Sequence, residues 1–143
     1  MRKLDILFIN PNASSKIYQG LSTTYSAIEP PTWALLLAQS CRAKGHSVAI
    51  LDCDAEHLTH TQSLDRIIAI DPKLVCFVVY GQNPNSGTTT MAGAMELASL
   101  IKETHPEYIT CFVGSHTQAL PLEVLSNEAV DLVLTGEGVY ALH

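Results

Sequence analysis

Five short apolar runs, separated by stretches with helical patterning, predict a doubly wound α/β domain built on a parallel sheet. Three observations carry that prediction. The runs are almost continuously apolar and rich in β-branched residues, the pattern of strands buried on both faces. Strands and helices alternate along the chain, which implies right-handed crossovers and parallel pairing. The length, 143 residues with 47% hydrophobic and 15% charged, suits one packed domain that buries a core without disulfides or a structural metal.

The strands are expected at Leu4–Asn10, Ser47–Asp52, Leu74–Tyr80, Tyr108–Gly114 and Val130–Thr135. The first helix is expected over Pro31–Lys44, with Trp33, Leu36, Leu37 and Cys41 as its apolar face. Pro30-Pro31 precedes it and Gly45 follows it, which is ordinary helix punctuation. His60–Ile70 is the second helix, stopped by Asp71-Pro72 because the residue before proline is steered away from α geometry. Thr88–Thr104 places Met91, Ala94, Met95, Ala98 and Ile101 on one face, and Pro106 closes it. Pro121–Asn127 is a short helix with proline in its first turn. The number of units matches a five-stranded, flavodoxin-like (Rossmann-like) order, 2-1-3-4-5. Residues 136–143 resemble the start of a further helix. The expectation is one domain over residues 1–143, forming the N-terminal part of a longer protein.

Composition excludes several roles. The net charge is -6 with no run of Lys or Arg, so neither a nucleic-acid backbone nor an anionic membrane is an expected partner. The apolar run behind Arg2-Lys3 is broken by Asp5 and stops at Asn10-Pro11, which does not fit a signal peptide. No segment has the roughly 18 apolar residues of a membrane span, and a cytoplasmic location is the default expectation. Cys41, Cys53, Cys76 and Cys111 lack the paired spacing of zinc or iron–sulfur ligands. Cys76 and Cys111 read as buried small hydrophobes.

In an open parallel sheet, ligands bind beyond the carboxyl ends of the strands. The loops there are rich in Gly, Ser, Thr and Asn. Asn10 and Pro11 open the first, Tyr80-Gly81-Gln82 with Ser86 and Thr88 form the third, Gly114-Ser115-His116-Thr117 the fourth, and Gly136-Glu137-Gly138 the fifth. Glycine lets a backbone approach a ligand closely, and hydroxyls and amides bond polar groups without adding charge. The alternative is that these residues simply make turns. There is no G-x-G-x-x-G after the first strand and no G-x-x-x-x-G-K-[ST], so the dinucleotide and P-loop fingerprints are missing. Asp52 could hold a ribose or form a turn. A receiver domain would need a phosphoacceptor aspartate where Tyr80-Gly81-Gln82 stands. His46, His57, His60 and His105 read as surface or solvated. His116 either bonds a ligand or is satisfied by its own turn. Glu137 either caps the helix expected there or serves as an acid or base. A stand-alone nucleotide or small-molecule binding module remains the competing reading.

An ordered set of short motifs carries a family resemblance across essentially the whole chain. It runs Ile9-Asn10-Pro11, Pro30-Pro31-Thr32-Trp33, Gly45-His46-Ser47-Val48 with Leu51-Asp52, Asp71-Pro72, Val113-Gly114-Ser115-His116-Thr117, Val130-Asp131 and Gly136-Glu137-Gly138. The chain resembles the N-terminal cobalamin-binding domain of cobalamin-dependent radical SAM enzymes. The stretch from Tyr80 to Met91 resembles the branch associated with oligosaccharide or surface-polysaccharide biosynthesis. The resemblance implies a corrinoid over the carboxyl edge, its nucleotide tail passing Gly81, Ser86, Thr88, Gly114, Ser115, His116 and Thr117, with Gly136 and Glu137 nearby. The D-x-H-x-x-G motif that supplies a cobalt-ligating histidine in better-known relatives is absent. Asp54…His57 has the wrong spacing and follows the second strand. The resemblance also implies a following domain whose C-x-x-x-C-x-x-C binds a 4Fe-4S cluster and uses S-adenosylmethionine. That triplet does not occur in these 143 residues, so this chain is expected to bind and position a cofactor, not to catalyse by itself. Methyl transfer is one reaction expected of the parent protein.

Overall fold

The computed structural model describes residues 4–12, 28–80 and 84–143; the side chains of residues 84–86, 88 and 89 also lie outside the description. Its elements are β1 (Leu4–Asn10), α1 (Thr32–Ala43), β2 (Val48–Asp52), α2 (His60–Ile70), β3 (Pro72–Val79), α3 (Pro84–Thr104), β4 (Ile109–Gly114), α4 (Ser115–Ala119), α5 (Pro121–Leu125) and β5 (Leu132–Leu134). All strand pairs are parallel, and the order is β2-β1-β3-β4-β5. The expected sheet order is therefore present.

Period-2 alternation divides each strand between two cores. Leu7, Ile9, Val75, Phe77, Val79 and Phe112 face the side covered by α2, α3 and α5, where Ile67, Leu97, Ile101 and Val124 meet them. Ile6, Phe8, Cys76, Val78, Cys111 and Val113 face α1. Phe77 and Phe112 are register partners, and their rings stack at 4.7 Å. Phe8, Phe77 and Phe112 are fully buried, each contributing about 2–3 kcal/mol of apolar transfer. No described helix is long and apolar enough to cross a membrane.

β1 and α2 have the expected bounds. Thr59 and Gln62 form a reciprocal capping box at the start of α2, and Asp71 ends that helix in the left-handed conformation. Three expectations need correction. The buried face of α1 is Ala34, Leu37, Ala38 and Cys41, whereas Trp33 and Leu36 are exposed. Small residues lie against the sheet because they let helix and strands approach closely. The segment after β4 is the short helix α4, not a turn. Residues 136–143 form turns, with a single helix-type bond from the Leu142 N–H to the Gly138 carbonyl. No helix starts there for Glu137 to cap.

All four cysteines are buried and free. Cys76 and Cys111 are register partners on adjacent strands, in one cluster with Cys41. A hydrogen bond that the Cys76 thiol donates to Cys111, together with burial, holds Cys76 well above its ordinary range. Burial pushes Cys53 up to about 11.

Candidate functional site

Parallel pairing puts the ends of all five strands on one edge, so Asn10, Asp52, Val79, Gly114 and Leu134 mark a common rim. The residues along it fall into three groups.

At the β1–β2 corner the polar groups bind one another. The Asn10 side-chain amide donates to Asp52 Oδ1 at 2.8 Å, and the Ala55 N–H donates to the same oxygen at 3.1 Å. The Cys53 N–H donates to the Asn10 carbonyl at 2.9 Å. Asn12 donates to the Leu58 carbonyl at 3.2 Å, and Pro11 is buried. Asp52 thus organises a turn, the reading set against a ribose-holding role. Burial, with Asp52 alongside, pushes the Asp54 carboxyl up from its usual range.

At the centre of the rim the chain is drawn unusually tight. A Cβ at Gly114 would overlap the Val79 carbonyl oxygen, so only glycine lets β4 leave the sheet there. Gly87, buried in α3, faces the same place: a Cβ on it would lie 2.5 Å from Ser115 Oγ. The next residues of α4 carry the least ordinary feature of the molecule. Ser115 Oγ and Thr117 Oγ1 are both buried without any hydrogen-bond partner. Leaving a buried hydroxyl unsatisfied costs about 1–3 kcal/mol, and such groups call for an explanation. Between them in sequence, His116 is half-buried.

On the α1 side the rim is aromatic. Tyr80, the residue after β3, stacks on Trp33 at 4.6 Å between ring centroids and 24° between planes. Its hydroxyl donates to the Gly136 carbonyl at 3.4 Å. Burial, and then the nearby Glu137 carboxylate, raise the Tyr80 phenol above its ordinary range. Gly136 and Gly138 both have positive φ, +76° and +80°, and a Cβ on Gly138 would press on Val113 at 2.9 Å. Glu137 itself is exposed.

The structure therefore brings Tyr80, Gly114, Ser115, Thr117, Gly136 and Glu137 to one rim, with His116 beside them. Asn10 is there too, but its side chain is engaged with Asp52. Gly81 and Gln82 lie outside the described residues, as do the side chains of Ser86 and Thr88. Sequence reasoning passed over Trp33 as core, although a lone tryptophan directly after Pro30-Pro31-Thr32 was a visible signal. Gly87 was missed because nothing local distinguishes it from a turn glycine.

Chemically the rim offers neutral hydroxyls, amides and ring faces. Among the described residues, no group of three or more His, Cys, Asp or Glu is placed to hold a metal ion. Glu137 and His116 add one carboxylate and one imidazole to the rim. A cleft of about 680 Å³ lies at the opposite edge, lined by Ser99, Lys102, Pro106 and Ala129 among others. Its cation is already committed: Lys102 Nζ lies 2.6 Å from Asp131 Oδ2 and donates to the Tyr108 carbonyl at 2.7 Å. The unpartnered buried hydroxyls lie at the carboxyl edge and this cleft at the other.

Comparison with known proteins gives a family. The family model described as B12 binding domain matches residues 18–143. A search of the curated proteins returns no significant match.

Proposed function

We propose that this chain, which belongs to the B12 binding domain family, presents cobalamin from its carboxyl rim to a radical SAM catalytic domain. The observation that carries the position of the ligand is the pair of orphaned hydroxyls, Ser115 Oγ and Thr117 Oγ1. They are buried donors and acceptors with no protein partner, in a place where Gly87 and Gly114 leave no room for a Cβ. Cobalamin fits that lining: it is a large ligand with amide arms and a nucleotide tail, and it needs neutral polar partners around a narrow path. Ser115 and Thr117 would bond the ligand and His116, Gly136 and Glu137 would border it, while Gly114 and Gly87 let the end of β3, α3 and Ser115 pack closely enough to hold those hydroxyls in place. When bound, cobalamin supplies a cobalt centre that can carry a methyl group, which is chemistry no side chain of this rim provides. The protein's share is to bind, orient and shield.

The radical SAM partner is supported by the ordered motif set from Ile9-Asn10-Pro11 to Gly136-Glu137-Gly138. The stretch from Tyr80 to Met91 supports the oligosaccharide- or surface-polysaccharide-associated branch, with methyl transfer as the parent reaction. In this reading the catalytic iron–sulfur cluster and S-adenosylmethionine sit on that other domain.

Mixing the chain with hydroxocobalamin, removing free ligand and recording the visible spectrum tests the binding. Retained corrinoid absorbance, lost in a Ser115→Ala/Thr117→Val double variant, is the expected result. Retention unaffected by the double variant would move the ligand elsewhere. The partner is tested separately, by whether the parent polypeptide, reconstituted with iron and sulfide, develops cluster absorbance and cleaves S-adenosylmethionine.

A further inference from the structure

Trp33 belongs to neither core. The stripe of α1 that faces the sheet is Ala34, Leu37, Ala38 and Cys41, and Trp33 stands beside it, 38% exposed. Its described ring contact is Tyr80. Tyr80 in turn reaches the Gly136 carbonyl. Three pieces of chain that are 47 and 56 residues apart meet in this one arrangement: the start of α1, the end of β3 and the turn after β5. The turn has positive φ at Gly136 and Gly138, and Gly138 is wedged against Val113 and Leu37, so its shape is narrowly defined. The hydroxyl-to-carbonyl distance of 3.4 Å is long beside the usual 2.7–2.8 Å of such bonds.

We infer that Trp33 and Tyr80 form a latch that positions the Gly136–Gly138 turn against the ligand rim, with Tyr80 as the positioning residue and Trp33 as the brace that orients its ring. The inference rests on the cobalamin reading for the ligand it serves. Tyr80 acts on that ligand through the turn: it fixes where the Gly136 backbone and Glu137 stand.

The test uses the chain with hydroxocobalamin and reads three quantities: affinity from retained visible absorbance, the emission of Trp33, and the thermal midpoint. Trp33 is the sole tryptophan, so the emission reports this contact alone. Tyr80→Phe keeps the ring and removes the tie. It is expected to lower affinity about 2- to 10-fold, the range of one ordinary hydrogen bond, with the thermal midpoint unchanged. Its unliganded Trp33 emission should shift to the red. Gly136→Ala should give a similar loss, and combining the two should add nothing further, because both release the same turn. Additive losses, or an affinity that Tyr80→Phe leaves unchanged, would overturn the latch. If the unaltered chain retains no corrinoid, the cobalamin reading fails, and the latch is then decided by emission: an unshifted Trp33 band in Tyr80→Phe sinks it.

Discussion

The two edges of the sheet are built on opposite rules. At the amino edge every described polar contact closes on another. Thr110 Oγ1 donates to the Ala129 carbonyl at 2.6 Å, and the Thr110 N–H donates to Asp131 Oδ2 at 2.7 Å. Lys102 completes that carboxylate's set, and the Tyr108 hydroxyl reaches Asp71 at 3.2 Å. Further along, Asp5 accepts from the Ser47 hydroxyl and N–H and from Lys73. At the carboxyl edge two buried hydroxyls have no partner at all. One edge has spent its polar groups on holding the strands together; the other keeps some in reserve. That asymmetry is the ground for proposing the ligand at the carboxyl edge, because unsatisfied burial persists only where something outweighs its cost.

Substitutions that hit one edge and spare the other test the contrast most sharply. The largest effect is expected at Gly114→Ala. Its Cβ meets backbone, not a flexible side chain, so stability should fall by about 3 kcal/mol or more. Corrinoid retention should vanish even below the new melting temperature. Thermal melts paired with spectra check this, and normal retention would mean that the rim is not where the ligand sits. Next comes the Ser115→Ala/Thr117→Val pair. It should weaken binding by at least about tenfold while leaving the unliganded protein as stable or about 1 kcal/mol more so, since an unpaired buried hydroxyl is removed. Chemical denaturation with and without hydroxocobalamin distinguishes this from simple unfolding.

The amino edge should respond in the reverse sense. Burial pushes the Asp131 carboxyl up, but Lys102 and the Thr110 amide and hydroxyl together outweigh it and hold it below the usual carboxylate range. A depressed folded pKa contributes stability above the unfolded value, about 3.9, and loses it as pH falls through the folded one. Asp131→Asn should therefore cost stability at pH 7, on the order of 1–2 kcal/mol for the lost charged hydrogen bonds. The difference from the unaltered protein should narrow below about pH 4. Corrinoid affinity at pH 7 should not change. Denaturation at several pH values follows the first part, and a coupled loss of affinity would break the separation of the edges. The smallest effect is chemical: a thiol reagent at pH 8 should label none of the four cysteines quickly in the native protein and all four after denaturation.

Much of this was legible in the sequence because it is local. β1 and α2 end at Asn10-Pro11 and Asp71-Pro72, and the apolar runs show strands buried on both faces. The number of strand–helix units matches a flavodoxin-like order, which is the order found. The α1 face was misread because the large residues Trp33 and Leu36 mimic helical spacing, while close packing selected Ala34 and Ala38. α4 escaped notice because five residues without apolar periodicity carry no helical signal. The Lys102–Asp131–Thr110 network joins residues 21 and 29 positions apart, and no local pattern announces it. At the rim, Ser115 and Thr117 were readable as residue types after a glycine. That their hydroxyls lack partners is a property of packing alone.

The sealed cysteines have a consequence for a domain whose proposed cargo is an alkylated metal. Thiolate sulfur, not thiol, is the competent nucleophile, and a thiolate at the rim would be a ready acceptor for the group being stored. Here the sulfurs lie in the two cores, with those of Cys53 and Cys76 held firmly protonated. The scaffold thus keeps its own sulfurs away from a cofactor held at the rim.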